Sequence, residues 1–377
     1  MVERRQRRQR RHGADPNRED HHVKPRAQTG FSLVELMVAI TIGLLLLTSL
    51  VSVMVAGRKD YSTNSGQGQL QNAGTTVSSL IGQTARGSGF FGCSGATTSN
   101  ALVSATGLLA NFNTPVTGYD AVLASSTLTI SALNGSNDST LTDWSPTLDS
   151  SLQGKVAKGS DVLVFSGQTN GTVPLWVNVY ASAGATALKT QSASGVATNN
   201  LLAVSNCGHS SIMKVSSVGT ASGGNVINLS QALDSDYPVG SVASPLSQTA
   251  YFVGQASGAQ SALYQAVYDG TTSSWQTTPI VPGIDALQVW YGIGSTPGVT
   301  TQYLTANQVS NWSQVNSLRL AVLLEGPKGS GPTTPSGRST CVNQTQWTLL
   351  GATVTVPCDA RLRHVYTMTV ALRNAGL

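Results

Sequence analysis

Charged side chains are scarce in this chain. Only 10% of its 377 residues are Asp, Glu, Lys or Arg, and the stretch from Leu36 to Gly57 contains none. The composition, rich in Ser, Thr, Gly and Ala, suits an exported β-rich domain better than a cytosolic enzyme. Residues 1–30 hold nine Lys or Arg and four Asp or Glu, which accounts for the whole formal charge of +5 and leaves 13 residues of each sign in residues 31–377. This neutral remainder argues against nucleic acid as a partner.

Motifs for catalysis and metal binding are also missing. The sequence contains no HExxH, P-loop or EF-hand loop, and Gly208–Ser211 does not fit a G-x-S-x-G nucleophile elbow. Gly87–Gly92 matches GxGxxG, but a dinucleotide site follows a strand, whereas this segment follows a helical pattern and leads into Cys93. It is typical of a helix stop and a tight turn. We predict that the chain is not an enzyme and that it binds no cofactor and no metal.

Cysteine is rare, and no two cysteines form a CxxC pair. The four are Cys93, Cys207, Cys341 and Cys358. An even number beyond an apolar segment favours two disulfides in an oxidising compartment. Four cysteines allow three connectivities. We favour Cys93–Cys207 with Cys341–Cys358, because cysteines near one another in sequence often close one loop.

One long apolar run stands out against this background. A basic segment leads to Gly30 and Phe31, Glu35 follows four residues later, and the run continues to Gly57. As a helix, residues 31–56 would be about 39 Å long, enough to cross a hydrocarbon core of roughly 30 Å. A secretory signal has its cleavage site after the apolar core. Here the small residue Gly30 precedes the core, so the run would remain in the mature protein.

Glu35 is unusual for a plain membrane anchor. A carboxylate at the centre of a membrane helix costs roughly 2.5–3.5 kcal/mol on insertion scales, and less near an end. Such a residue generally has a partner and a function. The basic segment before it is typical of a signal that keeps the N-terminus cytoplasmic.

The segment Gly30-Phe31-Ser-Leu-Val-Glu35-Leu resembles the class III leader of type IV pilins and type II secretion pseudopilins. The resemblance implies cleavage after Gly30 and N-methylation of Phe31. It also implies that Glu35 supports methylation and pairs with the N-terminal amine of a neighbouring subunit. Such pairing would compensate a buried carboxylate. The implied partners are other pilins and minor pilins, the prepilin peptidase/N-methyltransferase and the inner membrane. The Arg-rich leader is longer than those common in that family.

Five later segments resemble successive blocks of PilW-type minor pilins. They are Gly89–Gly95, Gly159–Gly167, Pro282–Gly292, Val315–Leu324 and Arg363–Asn374. The resemblance implies a minor pilin that inserts in the inner membrane as a single pass, with a cytoplasmic N-terminus before processing and a periplasmic head. It would then join or prime type IV pilus assembly near the tip and reach the cell surface. A J-type minor pseudopilin of type II secretion remains an alternative, as does an adhesin or DNA-capture head.

The whole pattern predicts an α+β fold, in which a long N-terminal pilin helix packs on an antiparallel β-rich C-terminal head. We expect a removed basic leader at residues 1–30 and a transmembrane, filament-core helix at residues 31–57. An amphipathic continuation of the helix at residues 58–86 and a globular periplasmic head at residues 87–377 follow. Four glycines weaken the helix, and Ser62–Gly68 is where we expect a bend or break.

Alternating apolar residues predict ten strands in the head, separated by turns rich in Gly, Pro and Asn. They are 161–165, 173–180, 201–204, 212–218, 225–229, 250–253, 262–268, 286–291, 317–324 and 365–372. Asn307–Val315 is predicted to be a short helix. Four arginines, Arg319, Arg361, Arg363 and Arg373, are expected at sheet edges or rims.

Overall fold

The structure is a computed structural model. It describes residues 30, 32–93, 97–102, 107–123, 127–129, 137–168, 172–222, 224–255, 260–270, 272, 274–296, 298–332 and 345–374. The leader before Gly30, the expected N-terminal residue Phe31 and Cys341 lie outside the described residues.

The described residues form one α-helix and nineteen strands. The helix α1 spans Leu33–Gly87. The strands are β1 Thr97–Asn100, β2 Val116–Ala121, β3 Thr127–Thr129, β4 Trp144–Ser145, β5 Val162–Gln168, β6 Leu175–Trp176, β7 Ala187–Thr190, β8 Leu201–Ser205, β9 His209–Ala221, β10 Gly224–Leu229, β11 Val242–Gly254, β12 Ala262–Asp269, β13 Ser274–Pro282, β14 Ile284–Ile293, β15 Gln302–Leu304, β16 Val315–Glu325, β17 Gln346–Leu349, β18 Ala352–Thr355 and β19 Arg363–Ala371. Short 3-10 turns lie at Gly107–Asn111, Leu141–Asp143, Ser150–Leu152, Ala306–Gln308 and Trp312–Gln314.

Three sheets build the head. The largest has twelve strands and follows the order β4-β2-β5-β11-β8-β9-β10-β7, with β1, β6, β12 and β13 attached beside that path. A four-stranded sheet has the order β15-β14-β16-β19, and a three-stranded sheet has the order β17-β18-β3. Pairing is antiparallel except between β1 and β9 and between β18 and β3. The expected α+β fold with an antiparallel β-rich head is therefore confirmed.

Contacts divide the chain into two compact units, Met1–Gly57 and Arg58–Leu377. In the first unit, the large apolar side chains of α1 from Leu33 to Val55 are all at least half exposed. The Ser and Thr hydroxyls of this part donate to carbonyls of their own helix at 2.7–2.8 Å. The polar groups of those side chains are thereby satisfied within the helix, as an apolar environment requires.

In the second unit, the rest of α1 contributes one buried face to the main core. Leu70, Val77, Ile81 and Ala85 are buried there with side chains of β5, β11, β14, β16 and the segment after β19. These residues follow the 3/4 spacing of an amphipathic helix, and their burial among strands stabilises a segment that its glycines would otherwise weaken.

The helix is continuous through Ser62–Gly68, so the break expected there is wrong. A Cβ at Gly66 would lie 2.5 Å from Cβ of Ser330, and one at Gly74 would lie 2.9 Å from Cδ2 of Tyr366. Both glycines therefore let the helix approach the head more closely than any other residue would. Their cost in helix propensity is offset by this packing.

Each of the ten predicted strands overlaps an observed strand, but nine further strands were not predicted, namely β1, β2, β3, β4, β7, β13, β15, β17 and β18. Only Leu175–Trp176 of the predicted strand 173–180 is paired as a strand. The predicted helix Asn307–Val315 is replaced by two separate 3-10 turns, one at Ala306–Gln308 and one at Trp312–Gln314. Val309 after the first turn and Asn311 before the second both have extended backbone, and the Asn311 side chain caps the second turn by accepting the N–H of Ser313.

Candidate functional site: the N-terminal segment and the buried charges of the head

The N-terminal segment places Glu35 in the first turn of α1. Gly30 is exposed and precedes the helix, and Ser32 caps it. The Ser32 hydroxyl accepts the N–H of Glu35 at 3.3 Å, and its carbonyl accepts the N–H of Leu36 at 3.1 Å. A carboxylate in the first turn also interacts favourably with the helix dipole. This local geometry follows from the Ser-Leu-Val-Glu sequence, which has the spacing of a capping box.

The first unit of α1 is long and apolar enough to cross a membrane. Its most apolar window of 18 residues has a mean hydropathy of 2.5, and none of that window is buried. Apolar residues cover all sides of the helix, and a helix of that kind is stable within lipid or among other apolar helices. The segment therefore indicates membrane anchoring.

The far end of α1 leads into a disulfide. The helix ends at Gly87, and Gly89 and Gly92 adopt φ values of +74° and +107°, which favour glycine. Cys93 follows and is joined to Cys207. The GxGxxG match is thus a helix stop and a turn, as predicted. Cys93–Cys207 is the first of the two pairs we favoured. Cys358 is also disulfide-bonded, but the pair Cys341–Cys358 stays a prediction because Cys341 lies outside the described residues.

Asp161 connects the two larger sheets. Its buried carboxylate accepts the N–H of Ala121 in β2 at 3.0 Å and the N–H of Val289 in β14 at 2.8 Å. Burial and the Asp120 carboxylate raise the pKa of Asp161 well above its ordinary range, although the two backbone donors lower it. In the sequence, Asp161 is only the first residue of a predicted strand, and no local pattern indicates that its carboxylate bonds to two sheets.

Five charged side chains form a buried cluster at one end of the four-stranded sheet. Each of their side chains is at most 11% exposed. Arg363 is central: its Nε lies 2.8 Å from Oδ2 of Asp285, its Nη1 lies 2.8 Å from Oδ1 of Asp359, and its Nη2 lies 3.4 Å from Oε2 of Glu325. Arg361 approaches the Glu325 and Asp359 carboxylates at 3.3 and 3.4 Å.

This cluster corrects the expectation for two of the four arginines. Arg361 and Arg363 are not rim contacts, since they lie buried among carboxylates. Arg319 and Arg373 are exposed as expected, and the Arg319 guanidinium stacks over the Tyr303 ring at 4.5 Å. The buried pairs form because β14 and β19 both pair with β16, which brings the end of β16 beside the beginnings of the other two strands.

Two guanidiniums face three carboxyl groups in this cluster, and Glu325 is the carboxyl group that is protonated most readily. Burial and the Asp285 carboxylate raise the pKa of Glu325 to about 8. The two guanidiniums and the Gln260 side chain oppose this rise without cancelling it. The folded protein therefore holds a proton at Glu325 near neutral pH.

We expect the Glu325 proton to make stability depend on pH. Its folded pKa of about 8 lies above the ordinary value of 4.5. Its contribution is therefore fully present below pH 4.5 or so and is lost as pH rises to about 8, with a slope of at most about 1.4 kcal/mol per pH unit. Glu325→Gln, whose amide stays neutral, should remove that slope. Urea unfolding of the full chain in detergent, followed between about pH 5 and 8, measures it.

Asp60→Asn is the matched control for this titration, because Asp60 is an exposed carboxylate on α1. That variant should keep the wild-type dependence of unfolding free energy on pH. Parallel curves for wild type and Glu325→Gln would mean that Glu325 is not the group that titrates.

A second polar cluster surrounds Asp234 near the disulfide. The Ser99 and Ser211 hydroxyls donate to its carboxylate, and Nε2 of His209 lies 2.9 Å from its Oδ2. Burial raises the pKa of Asp234, but the hydrogen bonds from these three groups outweigh it and lower the pKa to about 2. A nucleophilic serine donates to an imidazole. Here both hydroxyls donate to the carboxylate, so the cluster ties β1 and β9 to the loop that carries Asp234.

Comparison with known proteins identifies two regions of the chain. The family model described as type IV pilus-assembly protein W (PilW) matches residues 250–374. The model of the prokaryotic N-terminal methylation motif matches residues 25–56. Three of the five segments that resemble PilW blocks, together with all five residues of the buried charge cluster, fall within the first match.

Among solved structures, the chain is similar to a type IV-like pilin from Thermus thermophilus. The identity is 18% over 48% of this chain and 86% of that chain, with a TM-score of 0.23. No curated protein matches the chain. On its two family matches, the chain is a type IV pilin-like protein with an N-terminal methylation motif and a PilW region in its head.

Proposed function

We propose that this protein is a minor pilin of a type IV pilus. It is anchored in the inner membrane, cleaved after Gly30 and N-methylated at Phe31. It then joins or primes pilus assembly, near the tip. The match of the PilW model to residues 250–374 supports a pilus rather than a secretion pseudopilus. The head, residues 87–377, would lie in the periplasm before assembly and at the cell surface afterwards.

One observation carries this proposal. Glu35 is the single charged residue between Leu33 and Gly57, and it lies in the first turn of a helix that is apolar on all sides. A lone carboxylate in such surroundings needs a cation to offset its desolvation. Cleavage after Gly30 creates a cation, the amine of the new N-terminus, four residues before Glu35 in the sequence. The amine of a neighbouring pilin can therefore pair with Glu35.

In this proposal, successive parts of the chain have different roles in assembly. Residues 31–57 bury their apolar surface among the helices of neighbouring pilins, which supplies most of the association energy. The pairing of Glu35 with an amine selects the axial register of the subunits. Residues 58–86 link this segment to the head. The partners are other pilins and minor pilins, and the prepilin peptidase/N-methyltransferase prepares the N-terminus.

Mass spectrometry of the mature N-terminus tests the proposal. We expect the N-terminal peptide of the membrane-extracted protein to begin at Phe31 and to carry one methyl group on its amine. A strain that lacks the prepilin peptidase provides the control, in which the leader should remain attached. An intact leader in the peptidase-positive strain would overturn the proposed processing and, with it, the proposed assembly.

A further inference from the structure

A cavity of about 360 Å³ opens on the surface of the head beside strand β6. One wall is formed by residues 172–176, and the other by Gln191, Ser192, Ser194 and Gly195, which follow β7. Ligand pockets have volumes of roughly 300–1,000 Å³, so this cavity has room for a small molecule or for one end of a larger one. Both walls lie outside residues 25–56 and 250–374, the two regions that the family models match.

Trp176 gives the first wall an aromatic surface. Its neighbours Leu175 and Val177 are buried, so the alternation of side chains along the strand turns the indole outward, and Trp176 is half exposed. The strand backbone is held on both sides, because Trp176 pairs with Val242 of β11 and its carbonyl accepts the N–H of Gln191 at 3.1 Å. The indole therefore projects from a fixed strand and not from a loop, which preorganises it for contact with a ligand.

The rest of this wall is also apolar and accessible. Val173 is exposed, and Pro174 lines the cavity between Val173 and the strand. Tryptophan is highly buried in most proteins, and an indole left half exposed forgoes part of the free energy that its burial would release. A ligand that covers the indole face would recover that free energy.

The opposite wall supplies uncharged polar groups. The side chains of Gln191, Ser192 and Ser194 are exposed. Two hydrogen bonds fix the path of this segment: the Thr190 hydroxyl donates to the Ser192 carbonyl at 2.8 Å, and the Ser192 hydroxyl accepts the N–H of Ser194 at 3.1 Å. The side-chain amide of Gln191 and the hydroxyl of Ser194 make no hydrogen bond to any residue that the structure describes. Both groups can donate to a ligand and accept from it.

The chemistry of the two walls selects among classes of ligand. None of the described residues that line the cavity is charged, so an ionic ligand or a nucleic acid would find no counter-charge there. A polyproline helix docks in a groove lined by aromatic rings, whereas Trp176 is the one aromatic residue among the described residues of this lining. A wholly apolar ligand would leave the amide and hydroxyls unpaired, which is costly. An uncharged ring with an apolar face and a hydroxylated edge complements both walls.

We propose that this cavity binds a neutral sugar in its pyranose form, as part of a glycan. The C–H groups on one face of the sugar ring pack on the indole of Trp176, and the sugar hydroxyls bond the Gln191 amide and the serine hydroxyls of the opposite wall. The site involves no residue of the N-terminal segment or of the buried charge cluster. It can therefore fail its test while the proposed pilin function stands.

Isothermal titration calorimetry with neutral disaccharides tests the site in the full chain, held in micelles of a detergent without a sugar headgroup. The probes are cellobiose, lactose and N,N′-diacetylchitobiose. At least one of them should bind with a Kd on the order of 1 mM. Its affinity should be the same at low and high salt, because no charge takes part. Failure of all the disaccharides to bind overturns the proposal, and so does binding of a hexaproline peptide in their place.

Three variants locate the binding. Trp176→Ala removes the stacking surface and should weaken binding at least about tenfold. Gln191→Ala removes an exposed amide, so the head should fold and binding should weaken severalfold; it decides the test if Trp176→Ala fails to fold. Tyr180→Ala is the matched control, because Tyr180 is an exposed aromatic residue four positions after Trp176 that does not line the cavity. It should bind like wild type. Wild-type affinity in a folded Trp176→Ala variant or in Gln191→Ala, or an equal loss in Tyr180→Ala, overturns the proposal.

Discussion

Replacing Arg363 with leucine is expected to destabilise the head by about 3–5 kcal/mol, because removal of one partner leaves buried charges uncompensated. The variant would leave the carboxylates of Asp285 and Asp359, beside the protonated Glu325, with one guanidinium, that of Arg361. In a domain of this size such a loss corresponds to a decrease in Tm on the order of 10 °C. Thermal unfolding of the full chain in detergent, followed by circular dichroism, measures the change.

Arg373→Leu is the matched control, because Arg373 is an exposed arginine two residues beyond β19. It should change the unfolding free energy by no more than about 0.5 kcal/mol. A second comparison separates charge from packing. Adding Asp359→Asn to Arg363→Leu removes one of the stranded carboxylates and should restore part of the lost stability. If the double variant is less stable than Arg363→Leu, uncompensated charge is not the cause of the loss.

The charge cluster is also connected, through the loop that follows β16, to the part of α1 near Ser62. The loop that follows β16 contacts α1, since the Ser62 hydroxyl donates to the carbonyl of Gly329 at 3.1 Å and the Thr63 hydroxyl donates to that of Ser330 at 3.3 Å. The Ser330 hydroxyl accepts the N–H of Leu362, which lies between the two buried arginines. Loss of Arg363 should therefore loosen α1 near Ser62 as well as the sheet.

Local patterns were sufficient to predict the helix and ten of the nineteen strands that the structure describes. The helix was predicted over residues 31–86 and spans Leu33–Gly87, because its apolar run and its glycine stop are contiguous in sequence. Strands β14 and β16 were predicted because their apolar residues alternate, and alternation records the burial of one sheet face. Each of these signals lies within a single element.

The charge cluster could not be predicted in the same way, since its members lie far apart in the chain. Asp285 and Arg363 meet only because β14 and β19 flank β16 in a particular register. Taken singly, each charged residue is expected to be exposed, because ionised side chains are seldom buried without a partner. One feature of the sequence could have indicated the cluster, namely that charged residues are scarce in this chain. In a chain with so few, acids and arginines near strand ends are candidates for mutual pairing.

Glu35→Val is expected to leave membrane insertion intact and to reduce piliation strongly. Valine removes the one carboxylate of an otherwise uncharged segment, so insertion becomes more favourable. The N-terminal amine of a neighbouring pilin would lose its partner, and a buried amine without a counter-ion is costly. Membrane fractionation followed by immunoblotting measures insertion, and electron microscopy of sheared surface filaments measures piliation.

Thr48→Val separates the loss of charge from a general change in helix polarity. Thr48 is exposed in the same unit of α1, and its hydroxyl donates only to the Leu45 carbonyl of its own helix at 2.8 Å. This variant removes a polar group of similar position without removing a charge, so piliation should be close to wild type. Wild-type filaments in Glu35→Val would show that the carboxylate does not select register. Equal loss in both variants would attribute the effect to the apolar surface of the helix, because only that surface is altered in both.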